Sequence, residues 1–174
     1  NEQVVFISGH FNNFELMAME IEKTGINLCA IYRPLNNFFL NIIMEKIRKN
    51  YICKNQIKKG RNGTRDLINL INKNFSVALM IDQRVSEGEN ILLFNRVAKT
   101  TTIPAQLVKK YKLKIVPVYI ERRENFNFKL SFYKPLRFDD KLSTKEISLE
   151  LNKILEKMIV KNPSQWIWSH DRWK

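Results

Sequence analysis

His10 and Glu15 are the residues whose types and spacing first suggest chemistry. They sit in Ser8-Gly9-His10-Phe11-Asn12-Asn13-Phe14-Glu15, between the apolar run Val4-Val5-Phe6-Ile7 and a helical pattern over 16–23. An imidazole takes a proton from a hydroxyl near neutral pH when a carboxylate fixes its tautomer and stabilises the imidazolium. At a separation of five, His10 and Glu15 cannot share a face of one continuous helix, but they can meet across a strand–turn–helix junction. His10 then reads as a base at the carboxyl end of a strand. Glu15 falls in the first turn of the next helix, where the positive end of the dipole suits a carboxylate. On spacing alone, an ordinary βα turn with a solvated His and Glu is the commoner reading.

Other routes to catalysis are thinly represented. No serine or cysteine stands in a GxSxG elbow. The two histidines and two cysteines, Cys29 and Cys53, are not at ligand spacing, so no metal is expected, and no cofactor motif is present. Both cysteines lie in apolar segments and read as buried free thiols, which weakly implies a reducing compartment. The 30 Lys and Arg against 17 Asp and Glu give a net charge of +13, which calls for an anionic partner: nucleic acid, anionic lipid or an acidic protein. Without zinc-finger spacing, an RNP motif or a basic helix, nucleic acid is disfavoured. The remaining phosphate-binding candidates are Arg61, in the basic loop 58–63, and Arg65 just after it. Ordinary solvated surface arginines are the alternative for both.

The elements that must position these residues follow from periodicity. Apolar segments at 4–8, 27–32, 75–81, 91–94 and 113–120 read as strands, with 51–53 a weaker candidate. The alternating stretch 126–133 pairs back on 113–120 through a turn at Asn125 and Asn127. Helical patterns cover 13–23, a segment capped by Asn36 or Asn37, a segment starting at Thr64, 103–112 and 143–160. In the second of these Phe38, Leu40, Ile43, Met44 and Ile47 recur at helical spacing and are assigned to the core. Ser143 and Glu146 form a capping box. With 44% hydrophobic residues and no linker or repeat, 1–174 reads as one domain. The alternation of elements predicts an α/β fold: a mostly parallel mixed central sheet flanked by helices, with an antiparallel edge. His10, Arg33 and Asp82 each follow a strand and are expected along one edge of it.

Several stretches together carry a resemblance. They are Gly9-His10-Phe11-x-Asn13-Phe14-Glu15; Tyr32-Arg33-Pro34; Asp82-Gln83 after an apolar strand; 94–102 with Ala98 and Thr100; and Pro163-x-Gln165-Trp166-x-Trp168-x-His170-x-Arg172-Trp173-Lys174. In this order the chain resembles the bacterial lipid A biosynthesis acyltransferases, of the lauroyl and myristoyl type, over nearly its whole length. The resemblance implies a glycerolphosphate-acyltransferase-like fold and transfer of a fatty acyl chain from acyl carrier protein to a hydroxyl of a phosphorylated glucosamine lipid. It makes His10 the base, Glu15 its orienting partner, Arg33 a phosphate contact, and Asp82 a motif aspartate grouped with the substrate-binding candidates. It implies work at an anionic membrane, on the cytoplasmic face of the bacterial inner membrane, peripherally or through an N-terminal anchor. The chain has no initiator Met and enters a strand at once, so that anchor is expected on a missing part. Asn12 and Asn95 depart from the family's glycines. The alternative is an acyltransferase acting on another membrane lipid, a glycerophospholipid or glycolipid.

Overall fold

The computed structural model describes residues 2–174, with the side chain of Arg61 outside the description. In chain order the elements are β1 (Val4–Ser8), α1 (Glu15–Lys23), β2 (Leu28–Tyr32), α2 (Phe38–Ile47), β3 (Asn55–Lys58), α3 (Arg61–Ile71), β4 (Ser76–Met80), β5 (Glu89–Leu93), β6 (Arg96–Thr100), α4 (Ile103–Tyr111), β7 (Lys114–Arg122), β8 (Phe128–Phe132) and α5 (Thr144–Lys161). The fold is α/β, with a mostly parallel six-stranded sheet flanked by helices and a separate two-stranded hairpin. The chain divides into two compact units, one holding Glu15–Leu79 with the segment up to Val4, the other Val5–Phe14 with Met80–Lys174.

In the first unit β2 is the central strand, parallel to β3 and to β4, with Cys29 opposite Asn55 on one side and Val77 on the other. Leu28, Cys29, Ile57 and Val77 are buried. Cys29 and Cys53 are free and buried, as expected. Burial pushes their thiols up to about 12 and about 11, so both are unreactive near neutrality.

Three expectations in this unit are corrected. Residues 51–53 are not a strand: α2 runs into a π-helical turn over Arg48–Ile52, and the strand begins at Asn55. The helix after the basic loop starts at Arg61 rather than Thr64, capped by Gly60 at φ 140°. The apolar residues of α2 are not core: none of its residues is buried, although Asn37 caps the helix by accepting from Leu40 N–H. Helical spacing shows that a helix has an apolar stripe, not what covers it.

The second unit orders its sheet strands β1, β7, β8, with β7 and β8 antiparallel and Val118 opposite Phe132. Asn125, in the connection, adopts φ 54°, consistent with the expected turn. Helix α5 carries the predicted capping box and buries Ile147, Leu151, Leu155, Met158 and Ile159. Asn152 of α5 donates to Leu92 O at 2.8 Å, tying the helix to the β5–β6 hairpin. Strand β6 was not expected. Its two-residue turn, Phe94-Asn95, has φ 50° and 57°, the left-handed pair that matches the twist of a tight hairpin. At both departures from the family's glycines, Asn12 at φ 44° and Asn95, asparagine enters the region that glycine favours.

Gly63 generates a stability prediction. A Cβ there would lie 1.9 Å from Lys58 O, so α3 approaches β3 closer than any side chain permits. Gly63→Ala should destabilise the protein by about 1–3 kcal/mol, the usual range for overpacking, measured as a lower midpoint in urea.

Candidate active site

The site is built where two strand exits meet within the second unit. Ile81 N–H donates to Ser8 O at 2.9 Å, which lays the chain after β4 against the chain after β1. Asp82 therefore falls beside His10. Asp82 Oδ2 accepts from the His10 backbone N–H at 2.7 Å, and Oδ1 lies 2.7 Å from His10 Nδ1. Gly9 permits the approach: a Cβ there would sit 2.9 Å from Leu155 Cδ1 and 3.2 Å from Asp82 Oδ2.

The C-terminal segment supplies the third donor. Trp166 Nε1–H donates to Asp82 Oδ2 at 2.8 Å. Trp166 is held by an antiparallel bridge to Phe11, by Ile167 N–H donating to His10 O at 3.0 Å, and by Asn12 N–H donating to Gln165 O at 2.8 Å. The left-handed turn at Asn12 thus serves a specific pairing.

Asp82 is only 4% exposed. Burial alone would raise its carboxyl, but the hydrogen bonds and charge of His10, with the Trp166 indole, hold it below the ordinary carboxylate range. An ionised Asp82 can only accept, so Nδ1 is its donor and the other ring nitrogen, Nε2, is left toward the pocket. Nε2 lies 3.3 Å from Gln83 Nε2, at a small pocket lined by His10, Asp82, Gln83, Trp166, Ile167 and His170. The edge of the Phe14 ring packs on the imidazole with centroids 4.5 Å apart. The arrangement is a carboxylate-oriented base facing an open pocket, able to accept a proton from a hydroxyl.

The structure brings together His10 and Asp82 and changes two assignments. Glu15 is not the group on the imidazole. Asp82 holds Nδ1, and Glu15 Oε1 accepts instead from Arg48 Nε at 2.9 Å and Nη2 at 2.7 Å. Asp82 is not a surface available to substrate, because its oxygens are taken by three donors inside the protein. The three candidate arginines, Arg33, Arg61 and Arg65, belong to the first unit. Arg33 is exposed immediately after β2, Arg65 is exposed on α3, and Arg61 opens α3 with its side chain outside the described residues. Among the described residues, no three His, Cys, Asp or Glu side chains are grouped as a metal ion requires.

Gln83, Trp166 and His170 line the pocket, although residue chemistry alone gave none of them a site role. Their only signal in sequence was membership of the two motifs Asp82-Gln83 and Gln165-Trp166 to Lys174. His170 Nε2 accepts from Arg84 N–H at 3.1 Å, so it is engaged with the backbone beside the pocket.

Comparison with known proteins matches this chain to a family. The model of that family, described as bacterial lipid A biosynthesis acyltransferase, covers residues 1–174. The chain is 25% identical over 181 aligned residues to the lipid A biosynthesis palmitoleoyltransferase of Escherichia coli (strain K12). It is 25% identical over the same length to a lipid A biosynthesis acyltransferase of Shigella flexneri. Both alignments cover 100% of this chain and 56% of the relative, so the chain spans about half the length of the curated relatives it matches. With the motifs around His10, Asp82 and Trp166 inside a match that runs from end to end, this chain belongs to the bacterial lipid A biosynthesis acyltransferase family.

Proposed function

We propose that this protein transfers a fatty acyl chain from acyl carrier protein to a hydroxyl of a lipid A precursor, a phosphorylated glucosamine lipid, at the cytoplasmic face of the bacterial inner membrane. The observation that carries the reading is the His10–Asp82 pair, 2.7 Å apart, with Nε2 turned to the pocket. The family supplies the reaction class. A thioester donor is already activated, so the chemistry needs a base, stabilisation of an oxyanion and alignment.

In this mechanism the acceptor hydroxyl replaces the Gln83 amide at His10 Nε2. As its oxygen bonds to the thioester carbonyl carbon, Nε2 takes the proton, and the buried charge of Asp82 stabilises the imidazolium. Collapse of the tetrahedral intermediate breaks the C–S bond, and the imidazolium returns its proton to the leaving thiolate. His10 is the catalytic base and Asp82 a positioning residue. Glu15 fixes the guanidinium of Arg48. Arg33, Arg61 and Arg65 supply positive charge for the substrate's phosphates, where arginine can bind two oxygens at once.

His10→Ala should lower kcat by roughly 10²–10⁴. Asp82→Asn should lower kcat by about 10² or more with a smaller change in KM, because it removes the charge that orients and stabilises the imidazolium. Glu15→Gln should act mainly on KM. Steady-state kinetics with an acyl-carrier-protein thioester checks all three, and full activity in His10→Ala would end the base assignment.

Asp82 also predicts a pH dependence of stability. Its folded pKa is lowered, so as pH falls the unfolded chain takes up this proton first. The contribution is complete above the unfolded value of about 4 and is lost as pH drops further. The difference in melting temperature between the parent protein and Asp82→Asn should therefore shrink below about pH 4. A constant difference through that range would contradict an ionised Asp82.

The acceptor is decided by parallel transfer assays with a tetra-acylated lipid A precursor, lysophosphatidate and glycerol 3-phosphate. The lipid A precursor should be used preferentially. Preference for a glycerol-based acceptor would move the protein to the alternative of acyl transfer onto another membrane lipid, with His10 still its base.

A further inference from the structure

Helix α2 has its polarity reversed. Asn41, Glu45 and Arg48 form one stripe at i, i+4 and i+7, and they are engaged with the protein. Asn41 Oδ1 accepts from Leu35 N–H at 2.9 Å, and its Nδ2 donates to Glu45 Oε1 at 2.8 Å. Glu45 Oε1 also accepts from Tyr32 OH at 2.7 Å, and Arg48 holds Glu15. The apolar residues lie on the outside: Phe38 is 70% exposed, Phe39 77%, Leu40 53%, Ile42 52% and Ile43 55%. An ordinary surface helix has the opposite arrangement, and a contiguous exposed apolar face marks a contact with a membrane or a partner.

Charge selects between those occupants. Lys46 and Lys49 are exposed on or beside the apolar face, and Arg33 is exposed ahead of the helix. The nearby acids, Glu45 and Glu15, are bound on the inner side. The outer side therefore combines apolar residues with cations only, the composition of a helix that lies in the headgroup boundary of an anionic bilayer. A second copy fits poorly, since a symmetric contact would set these cations against each other on a chain of net charge +13.

We propose that α2 is an interfacial docking helix. Phe38, Phe39, Ile42 and Ile43 enter the acyl boundary of an anionic bilayer, and Lys46 and Lys49 meet lipid phosphates. The inference extends the lipid-substrate reading above, but its test contains no acyl donor or acceptor, so the two fail separately.

The test is sedimentation of the purified protein with vesicles of phosphatidylethanolamine and phosphatidylglycerol, and with vesicles of phosphatidylcholine alone. Binding should favour the anionic vesicles. The double variant Phe39→Glu/Ile43→Glu should bind them at least about tenfold more weakly, with its circular dichroism unchanged because both side chains are exposed. Lys46→Ala/Lys49→Ala should weaken binding and flatten its salt dependence. Insertion is read separately from an environment-sensitive dye on Phe39→Cys, since Cys29 and Cys53 are buried and escape labelling. Its emission should shift to the blue on anionic vesicles, and the same dye on Lys73→Cys, an exposed residue after α3, should not shift. Unchanged binding by Phe39→Glu/Ile43→Glu, or no shift at residue 39, overturns the proposal. So does light scattering that shows a dimer for the parent and a monomer for the double variant, which would give the face to a second copy.

Discussion

The second unit depends on a carboxylate that is almost wholly buried. Asp82 is buried and ionised, a state that costs several kcal/mol unless its oxygens are satisfied. Its donors come from two distant parts of the chain: the backbone and imidazole of His10, and the indole of Trp166. Hydrogen bonds to a charged acceptor each contribute about 1.5–3 kcal/mol, so together they offset the cost. The exit of β1, the exit of β4 and the C-terminal segment are therefore held to one geometry. An arrangement that stabilises the buried charge is also one that fixes the imidazole tautomer.

A second buried charge lies in the same unit. Arg172 is fully buried and donates to Lys99 O at 2.6 Å and Thr100 Oγ1 at 2.7 Å. Burial lowers its pKa, and the negative charge of Asp82 acts in the opposite direction. Arg172 and Trp173, whose indole donates to Leu93 O, anchor the end of the chain on the β5–β6 hairpin. The tryptophan-rich ending thus has divided roles: Trp166 serves the site, Trp173 the hairpin, and Trp168 is 56% exposed.

Periodicity made most of the elements legible. The strand runs at 4–8 and 75–81, the β7–β8 pair and the α5 capping box all rest on local patterns, and each is found close to its expected position. The failures share a cause. Strand β6, Arg-Val-Ala-Lys-Thr, alternates weakly, and its turn, Phe-Asn, is not the usual Asn-Gly signal, so the hairpin was missed. Residues 51–53 look β-prone alone but are governed by the helix running into them. The apolar stripe of α2 was visible, but its outward orientation follows from the bonds that Glu45 makes to Tyr32 and Arg48 makes to Glu15, which no local pattern contains.

The partner of the base shows the same limit at the site itself. Glu15 stands five residues from His10, a separation visible by eye, and a turn between them makes a plausible pair. Asp82 stands 72 residues away, and its approach depends on the Ile81–Ser8 hydrogen bond and on the space left by Gly9. The imidazole has one Nδ1, and a buried carboxylate 2.7 Å away occupies it fully. The His-x4-Glu spacing therefore does not describe one dyad here: His10 pairs with Asp82 beyond the end of β1, and Glu15 fixes Arg48 from the first turn of α1. A motif read as a contact is here a measure of the turn length between two separately anchored groups.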